Sequence, residues 1–169
     1  MMRAYELKAG ATGLDALVQV ERPDSKPGTG EVVVRMRAAS LNARDQGVMS
    51  GRYRGGAVQR ATIPLSDGAG EVIAVGEGVT RFKPGDRVTP TFQRGWLDGP
   101  HRRDYRGQTL GNPLDGVLAE QVAVHEINLV RAPDHLSFEE AACLPCAGVT
   151  AWHALFERTP LKAGQSVLL

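Results

Sequence analysis

The sequence predicts a mainly β domain of short strands, in a barrel or a sandwich, up to about residue 130, with two helices after it. Three observations carry this prediction. The 169 residues include 20 glycines and 10 prolines, so turn-forming residues are unusually frequent. Residues 31–38 alternate apolar and polar side chains with the period of a strand. Ser137 and Glu140 have the spacing of a capping box, which marks a helix start.

Strand signals recur along the first 130 residues. In residues 31–38, one face of the strand carries Val32, Val34, Met36 and Ala38, and the other carries Val33, Arg35 and Arg37. Pro84 and Gly85 occupy the second and third positions of a turn, as a type II turn requires. The predicted strands are 31–38, 71–75, 87–89, 117–124 and 127–130.

Two helices are predicted after the last of these strands. The first covers 138–144 and stops at Pro145, because proline interrupts the hydrogen bonds of a helix interior. The second covers 147–158, where apolar residues recur at helical spacing, and it ends at Pro160. The apolar stripe consists of Val149, Trp152 and Phe156.

Residues 166–169 have the apolar character of a buried strand and stand at the end of the chain. A buried strand needs hydrogen-bonding partners on its edges. We therefore expect the 169 residues to be the N-terminal part of a longer protein, in which a following segment completes that sheet.

Composition excludes several classes of protein. Lys and Arg number 20 against 19 Asp and Glu, a balance that argues against a dedicated nucleic-acid binder. The sequence has no apolar run of the ~18 residues that a membrane span needs, and its first residues lack a signal peptide. Two cysteines in 169 residues exclude a small protein whose fold depends on several disulfides. We expect a cytoplasmic protein that acts on a small molecule, without nucleic-acid or membrane partners.

Cys143 and Cys146 form a C-x-x-C motif between the two predicted helices. A thioredoxin-type redox pair belongs in the first turn of a helix after a strand, so two small buried thiols at a helix junction are the favoured interpretation. A second cysteine pair for a zinc finger is missing from the sequence. The four histidines are scattered without a metal-binding pattern, at 101, 125, 135 and 153.

The stretch 93–106 mixes four arginines with aromatic residues. An RNA contact is one interpretation of that mixture. Two aspartates in the same stretch favour the other, a solvated loop at the rim of a cleft.

Several short segments stand in the order that they have in a known family. They are 41–45, 51–53, 67–72, 82–88, 116–120, 140–142 and 144–151. The ordered set resembles the medium-chain dehydrogenase/reductase superfamily, on the side of its zinc-free, quinone-reductase-like or alcohol-dehydrogenase-like members. The resemblance implies a GroES-like β-barrel catalytic domain at 1–130. It also implies that 131–169 holds connecting helices and the first strand of a truncated nucleotide-binding Rossmann domain.

The resemblance places Asn42, Ser66 and Cys146 where zinc-dependent members carry their three catalytic zinc ligands. Asparagine and serine supply neither the thiolate nor the imidazole that zinc prefers. Residues 88–118 contain no cysteine, although zinc-dependent members carry four in that region for a structural zinc. We therefore predict that the protein binds no metal.

The resemblance implies an NAD(P)-dependent oxidoreductase, with NADP favoured over NAD. Without a Lewis acid, a quinone, an enone or another conjugated carbonyl is the expected hydride acceptor. The implied catalytic residues are Asn42 and Tyr53, both hydrogen-bond donors, and the implied cofactor contacts are Asn42, Asp45 and Thr150. Some quinone-reductase relatives have an aromatic residue at the position of Gly47, so the acceptor class stays open at that point.

Each of these residues has a structural alternative. Asn42 is also a turn former, Tyr53 a packing residue, Asp45 a loop anchor and Thr150 a helix-start hydroxyl. Two other functions stay open as well: a stand-alone GroES-like binding module without catalysis, and an alcohol or aldehyde dehydrogenase.

The glycine-rich turn that holds the cofactor pyrophosphate in this superfamily is expected after Leu169. The isolated 169 residues are therefore predicted to be inactive. A homodimer of the full-length protein is compatible with the resemblance.

Overall fold

The structure is a computed structural model that describes residues 1–105, 107–158 and 160–168. Seven strands and three α-helices lie within these residues. The strands are β1 (Met2–Leu7), β2 (Leu17–Arg22), β3 (Glu31–Ser40), β4 (Asp67–Val75), β5 (Arg87–Pro90), β6 (Gln121–His125) and β7 (Leu129–Arg131). The helices are α1 (Ala43–Met49), α2 (Phe138–Ala142) and α3 (Val149–Trp152).

The strands form a two-stranded and a five-stranded antiparallel sheet. β1 pairs with β2, and the larger sheet has the order β6-β3-β4-β5-β7. β3 breaks register with β4 between Val33 and Val34 and again between Met36 and Ala38, and such bulges bend a sheet. Backbone hydrogen bonds from Tyr5 to the Leu118 carbonyl and from Leu7 to the Thr62 carbonyl close the small sheet onto the rest of the barrel.

The main core lies inside the curve of the larger sheet. Alternating residues of its strands point inward, as the period-2 pattern predicts. The buried cluster consists of Val32, Val34, Val72, Phe82, Val88, Val124 and Leu129. A second cluster packs α1 onto β1 through Leu7, Val48, Met49 and Val58. This packing holds α1 at one end of the barrel.

The mainly β fold class and several elements are confirmed. Residues 31–38 lie within β3, 71–75 within β4 and 87–89 within β5. Gly85 has a φ of 92°, as the third position of a type II turn requires. Of 117–124, only the last four residues belong to β6, and a 3-10 turn takes up Glu126–Asn128 before β7.

The expectation of an all-β chain up to residue 130 was wrong at α1. Its start at Asn42 and Asp45 has the spacing of a helix cap, but the segment is too short for a periodic apolar stripe. Sequence analysis also missed β1 and β2, which pair with each other at the start of the chain.

The capping box at the start of α2 is confirmed. The Glu140 N–H donates to Oγ of Ser137 over 3.1 Å, and the Ser137 N–H donates to Oε2 of Glu140 over 2.8 Å. Pro145 does not end the helical region, because it lies in the first turn of a new one, where its missing N–H has no cost. That region continues through wide π-helical turns and α3 to Arg158.

The C-terminal residues depart from the prediction in two ways. Trp152 and Phe156 do lie side by side, with ring centroids 4.6 Å apart, but their side chains are exposed rather than packed on the barrel. Residues 166–168 form no strand, because no described strand lies beside them, and Leu169 lies outside the described residues. No described helix is long and apolar enough to cross a membrane.

Candidate active site

The site is built around the first turn of α1. The chain leaves β3 at Ser40 and starts the helix at Asn42, whose backbone N–H donates to Oδ2 of Asp45 over 2.9 Å. Asp45 is buried. Burial raises the pKa of its carboxyl, while the Asn42 N–H and the charge of Arg44 act in the opposite direction. The Nδ2 group of Asn42 is also buried and lacks a hydrogen-bond partner among the described residues.

Arg44 occupies the centre of the site with a side chain that is 8% exposed. Its guanidinium carbon lies 5.0 Å from the ring centroid of Tyr53 and 5.1 Å from that of Phe92. The guanidinium donates to the carbonyls of Leu110 and Asn112 over 2.9 and 3.2 Å. These bonds fasten the loop before Gly116 to α1.

Two fully buried residues, Ser66 and Asp67, lie in the site at the start of β4. The Ser66 hydroxyl donates to Oδ1 of Asp67 over 2.7 Å. They follow Leu65, which has a φ of 68°. This left-handed backbone conformation is energetically unfavourable for any residue with a Cβ. Gly111 and Gly116 pack so tightly against the backbone of Leu65 that neither has room for a Cβ. The surrounding backbone therefore holds the strained turn in place.

Asp67 also reaches the helical region after β7. The Cys146 backbone N–H donates to Oδ2 of Asp67 over 2.8 Å. Burial, and next the Asp67 carboxylate, raise the pKa of the Cys146 thiol, so this sulfur stays protonated at neutral pH. The Thr150 side chain, one helical turn further along, acts in the opposite direction and lowers the pKa of the same thiol.

Tyr53 is half-buried, with its ring packed against the cluster that holds α1 and below the guanidinium of Arg44. This position gives its ring a packing role. The role of its hydroxyl stays a prediction.

The structure thus brings Asn42, Asp45 and Cys146 into one site, joined through Arg44 and Asp67. Tyr53 borders this site under Arg44, and the exposed Thr150 contacts it at Cys146. Arg44 and Asp67 were missed as functional candidates, although both lie in the segments that carried the resemblance. Local sequence patterns do not reveal their roles, because the partners that matter are distant in the chain. Arg44 bonds to the carbonyls of Leu110 and Asn112, and Asp67 accepts from the Cys146 N–H.

Residues 28–134 match the model of a known family, the alcohol dehydrogenase GroES-like domain. The chain belongs to this family. The predicted resemblance to the medium-chain dehydrogenase/reductase superfamily is confirmed, since its homologues are oxidoreductases of that superfamily.

Two relatives illustrate the range of this family. A zinc-type alcohol dehydrogenase-like protein of Schizosaccharomyces pombe is 39% identical over 172 residues, covering 100% of this chain and 49% of that protein. A chloroplastic quinone-oxidoreductase of Triphysaria versicolor is 34% identical over 167 residues, covering 98% of this chain and 45% of that protein.

The fold has a solved counterpart. The crystal structure of a provisionally assigned alcohol dehydrogenase from Sinorhizobium meliloti 1021 matches with a TM-score of 0.82 and 42% identity, covering 97% of this chain and 49% of that one. The chain therefore spans about half the length of these three proteins.

The donor atoms of the GroES-like site fit zinc poorly. The Ser66 hydroxyl donates a hydrogen bond to Asp67 and Asn42 offers an amide, so Cys146 alone of these three residues carries a side chain of the type that zinc prefers. Across 1–105, 107–158 and 160–168, no cluster of three His, Cys, Asp or Glu side chains could hold a metal ion. The absence of zinc stays a prediction that rests on these residue types.

Two other sequence candidates lie outside this site. Cys143 sits at the predicted helix junction but is exposed, so its interpretation as a buried thiol was wrong. Cys143 is the C-cap residue of α2, and its thiol lies 3.4 Å from the Glu139 carbonyl oxygen at the exposed surface of the helix. The loop that follows Gln93 folds on itself, with the rings of Trp96, His101 and Tyr105 in contact, and Arg106 lies outside the described residues.

Proposed function

We propose that this chain is the substrate-side portion of a zinc-free, NAD(P)-dependent oxidoreductase that reduces conjugated carbonyl compounds such as quinones and enones. One observation carries the proposal. Asn42, at a position where zinc-dependent members have a ligand, holds a buried amide donor without an acceptor among the described residues. A buried donor without a partner is costly, and a ligand oxygen would satisfy it.

The residues of the site fit a nicotinamide in chemical type. Asn42 and Thr150 offer hydrogen-bond donors, and Asp45 fixes the turn that carries Asn42. When bound, a reduced nicotinamide supplies a hydride, which is two electrons with one proton. We favour NADPH over NADH, and the division into a catalytic part at 1–130 and a connecting part at 131–169 belongs to the same proposal.

The proposed class of hydride acceptor follows from the hydrogen-bond donors of the site. Without a Lewis acid, a simple ketone is poorly polarised, whereas a quinone or enone accepts hydride at carbon and spreads the resulting charge onto oxygen. Hydrogen-bond donors that face that oxygen then lower the barrier. Asn42 and Tyr53 are the residues proposed for this task.

The test uses the natural protein that contains these residues, with NADPH and NADH compared on a quinone, an enone and a simple ketone. We expect reduction of the conjugated acceptors and little of the ketone. Asn42→Ser keeps a good helix cap but removes the amide N–H donor. This variant should lower turnover about 10²-fold. If the protein oxidised simple alcohols faster than it reduced quinones or enones, the alcohol dehydrogenase alternative would be favoured. If it turned over none of these substrates, the stand-alone binding module would be favoured.

Metal content is tested separately. We expect far less than one zinc per chain after dialysis, and no gain in activity when zinc is added. Stoichiometric zinc bound through Cys146 would contradict the proposal, and it would agree with the zinc-type designation of the relative from Schizosaccharomyces pombe.

Localisation and assembly are part of the proposal too. We place the protein in the cytoplasm, acting on a small molecule and without nucleic-acid or membrane partners. Fractionation of cells and the oligomeric state of the natural protein test these points, including the homodimer.

A further inference from the structure

The C-x-x-C motif of Cys143 and Cys146 has no part in the proposed reduction, and its two thiols differ in exposure. Cys143 is exposed, and Cys146 is half-buried. Both are free thiols, and they are the two cysteines of the 169 residues. In such a pair, the exposed thiol can react with a molecule from solution and the neighbouring thiol can then displace that molecule.

The backbone places this motif at the start of a helical region. Cys143 is the C-cap of α2, and the next helical region begins at Leu144 and continues to Arg158. Pro145 and Cys146 lie in the first turn of that region. A redox pair belongs in the first turn of a helix. The structure meets this condition, although the element before the motif is a helix rather than a strand.

The helical backbone also gives the two cysteines the spacing that a disulfide needs. Cys143 has a φ of −80° and a ψ of −9°, so the chain is already helical where the motif begins. Residues three apart have Cα atoms about 5 Å apart in an α-helix, and slightly further apart in a wider turn. Disulfides join Cα atoms that are about 4.4–6.8 Å apart. A bond between Cys143 and Cys146 therefore needs only a local adjustment of side chains and of one turn.

Both cysteines are anchored to β4. Ala142, which directly precedes Cys143, is buried in one cluster with Ala69 of β4. The backbone N–H of Cys146 donates to Oδ2 of Asp67, at the start of the same strand, over 2.8 Å. The two thiols are thus held one turn apart before any bond forms, and closing the bond orders little additional chain.

We propose that Cys143 and Cys146 are a redox modification site that forms a reversible disulfide by exchange with a low-molecular-weight disulfide, such as that of glutathione. This inference goes beyond the proposed function and does not depend on it. In the cytoplasm, where we place the protein, disulfides are usually transient and serve catalysis or redox sensing. The exposed Cys143 gives such a disulfide access to its reductant.

The exchange takes two steps. The Cys143 thiolate attacks one sulfur of glutathione disulfide, whose S–S bond breaks and releases one glutathione thiolate. The Cys146 sulfur then attacks the Cys143 sulfur of the mixed disulfide, and the second glutathione thiolate leaves. The protons of the two protein thiols end on the two released glutathiones. The protein is oxidised by two electrons, and glutathione disulfide is reduced by two.

The order of attack follows from the surroundings of the two thiols. Burial, and next the Asp67 carboxylate, raise the pKa of Cys146, so little of this thiol is available as the attacking thiolate. Its half-buried position also limits contact with a molecule as large as glutathione disulfide. Cys143 therefore attacks first, and Cys146 completes the disulfide within the motif.

The test uses the folded natural protein in glutathione buffers with an increasing share of glutathione disulfide. Iodoacetamide then blocks the remaining thiols, and trypsin releases 132–158 as one peptide, which has both cysteines and no internal Lys or Arg. We expect the peptide to change from a form with two blocked thiols to one that lacks two hydrogens and carries no label. Dithiothreitol should reverse the change, and circular dichroism should show that the protein stays folded throughout.

Cys146→Ser and Cys143→Ser are the matched variants. Cys146→Ser should stop at the mixed disulfide, with one glutathione on Cys143 and no further reaction. Cys143→Ser should take up glutathione at Cys146 at least about tenfold more slowly, because that thiol is half-buried and stays protonated. Equal rates of glutathione uptake in the two variants would contradict the order of attack.

Three results overturn the disulfide itself. They are a wild-type peptide that stays reduced in the most oxidising buffer, a peptide that carries glutathione on both cysteines, and a disulfide that forms only after denaturant has unfolded the protein. The wild-type peptide decides the question alone, so the test does not require either variant to fold. Turnover is not measured, so failure of the proposed function would leave the result unchanged.

Discussion

The backbone N–H of Cys146 donates a hydrogen bond to Oδ2 of Asp67, across 79 residues of sequence and 2.8 Å of space. The second oxygen of the same carboxylate accepts the Ser66 hydroxyl. One buried side chain at the start of β4 therefore fixes the helical region that carries Thr150. Small residues of α2 and β4, Ala69 and Ala141 among them, pack beside this link.

Asp67→Ala should loosen the link. The change removes the acceptor of the Cys146 N–H, and a buried unsatisfied donor costs about 1–3 kcal/mol. In a Cys143→Ser background, alkylation of Cys146 should become faster and the free energy of unfolding should fall by that amount. Ser66→Ala leaves the Cys146 bond intact and serves as the control. Equal alkylation rates in all three proteins would mean that the link does not hold the segment.

Gly116→Ala should be strongly destabilising. A Cβ on Gly116 would lie 1.9 Å from the carbonyl oxygen of Leu65, so the strained turn before Ser66 would have to move. Overpacking of this kind costs about 1–3 kcal/mol or more. Gly13→Ala is the matched control, because a Cβ there meets nothing within 4 Å. Denaturant unfolding of both variants measures the difference, and equal stabilities would contradict the tight contact.

Asp86 gives the fold a pH dependence. The Lys83 backbone N–H, and to a smaller extent the Lys83 and Arg131 side chains, lower the pKa of this carboxyl to about 2. A lowered pKa in the folded state contributes stability above the unfolded value of about 4, and that stability is lost as pH falls through 2.

Asp86→Asn tests this contribution. Its unfolding free energy should be lower than that of the wild type by about 1–2 kcal/mol at neutral pH, with the difference shrinking as pH falls from about 4 towards 2. Thermal unfolding over that pH range is the measurement. A difference that stayed constant down to pH 2 would show that the ionised carboxylate is not what stabilises the turn.

Tyr53→Phe separates the two roles of the tyrosine. The ring contacts with Arg44 and the α1 cluster remain in phenylalanine, so the unfolding free energy should change little. If the hydroxyl faces the developing oxyanion, turnover with a quinone or enone should fall by up to about 10²-fold, or roughly 3 kcal/mol. Unchanged kinetics in the natural protein would leave Tyr53 with its packing role alone.

Local sequence patterns determined much of the fold. The alternation in β3, the turn before Asp86 and the capping box at Ser137 each depend on residues a few positions apart, so they can be seen in the sequence. α1 escaped notice because one short helix in a β region offers little periodicity. The residues of the site were partly found as well, since Asn42, Asp45 and Cys146 lie in the segments that resemble the family.

What the sequence determined by itself is a mainly β, GroES-like chain, and the resemblance predicts an amide and a hydroxyl at two positions where zinc-dependent members carry metal ligands. Only the tertiary structure showed that Asp67 holds Cys146, that Arg44 is buried between Tyr53 and Phe92, and that Trp152 is exposed. The physical reason is distance along the chain. Turns and caps depend on neighbours in sequence, whereas the burial of a charge depends on which distant segments the closing sheet brings around it.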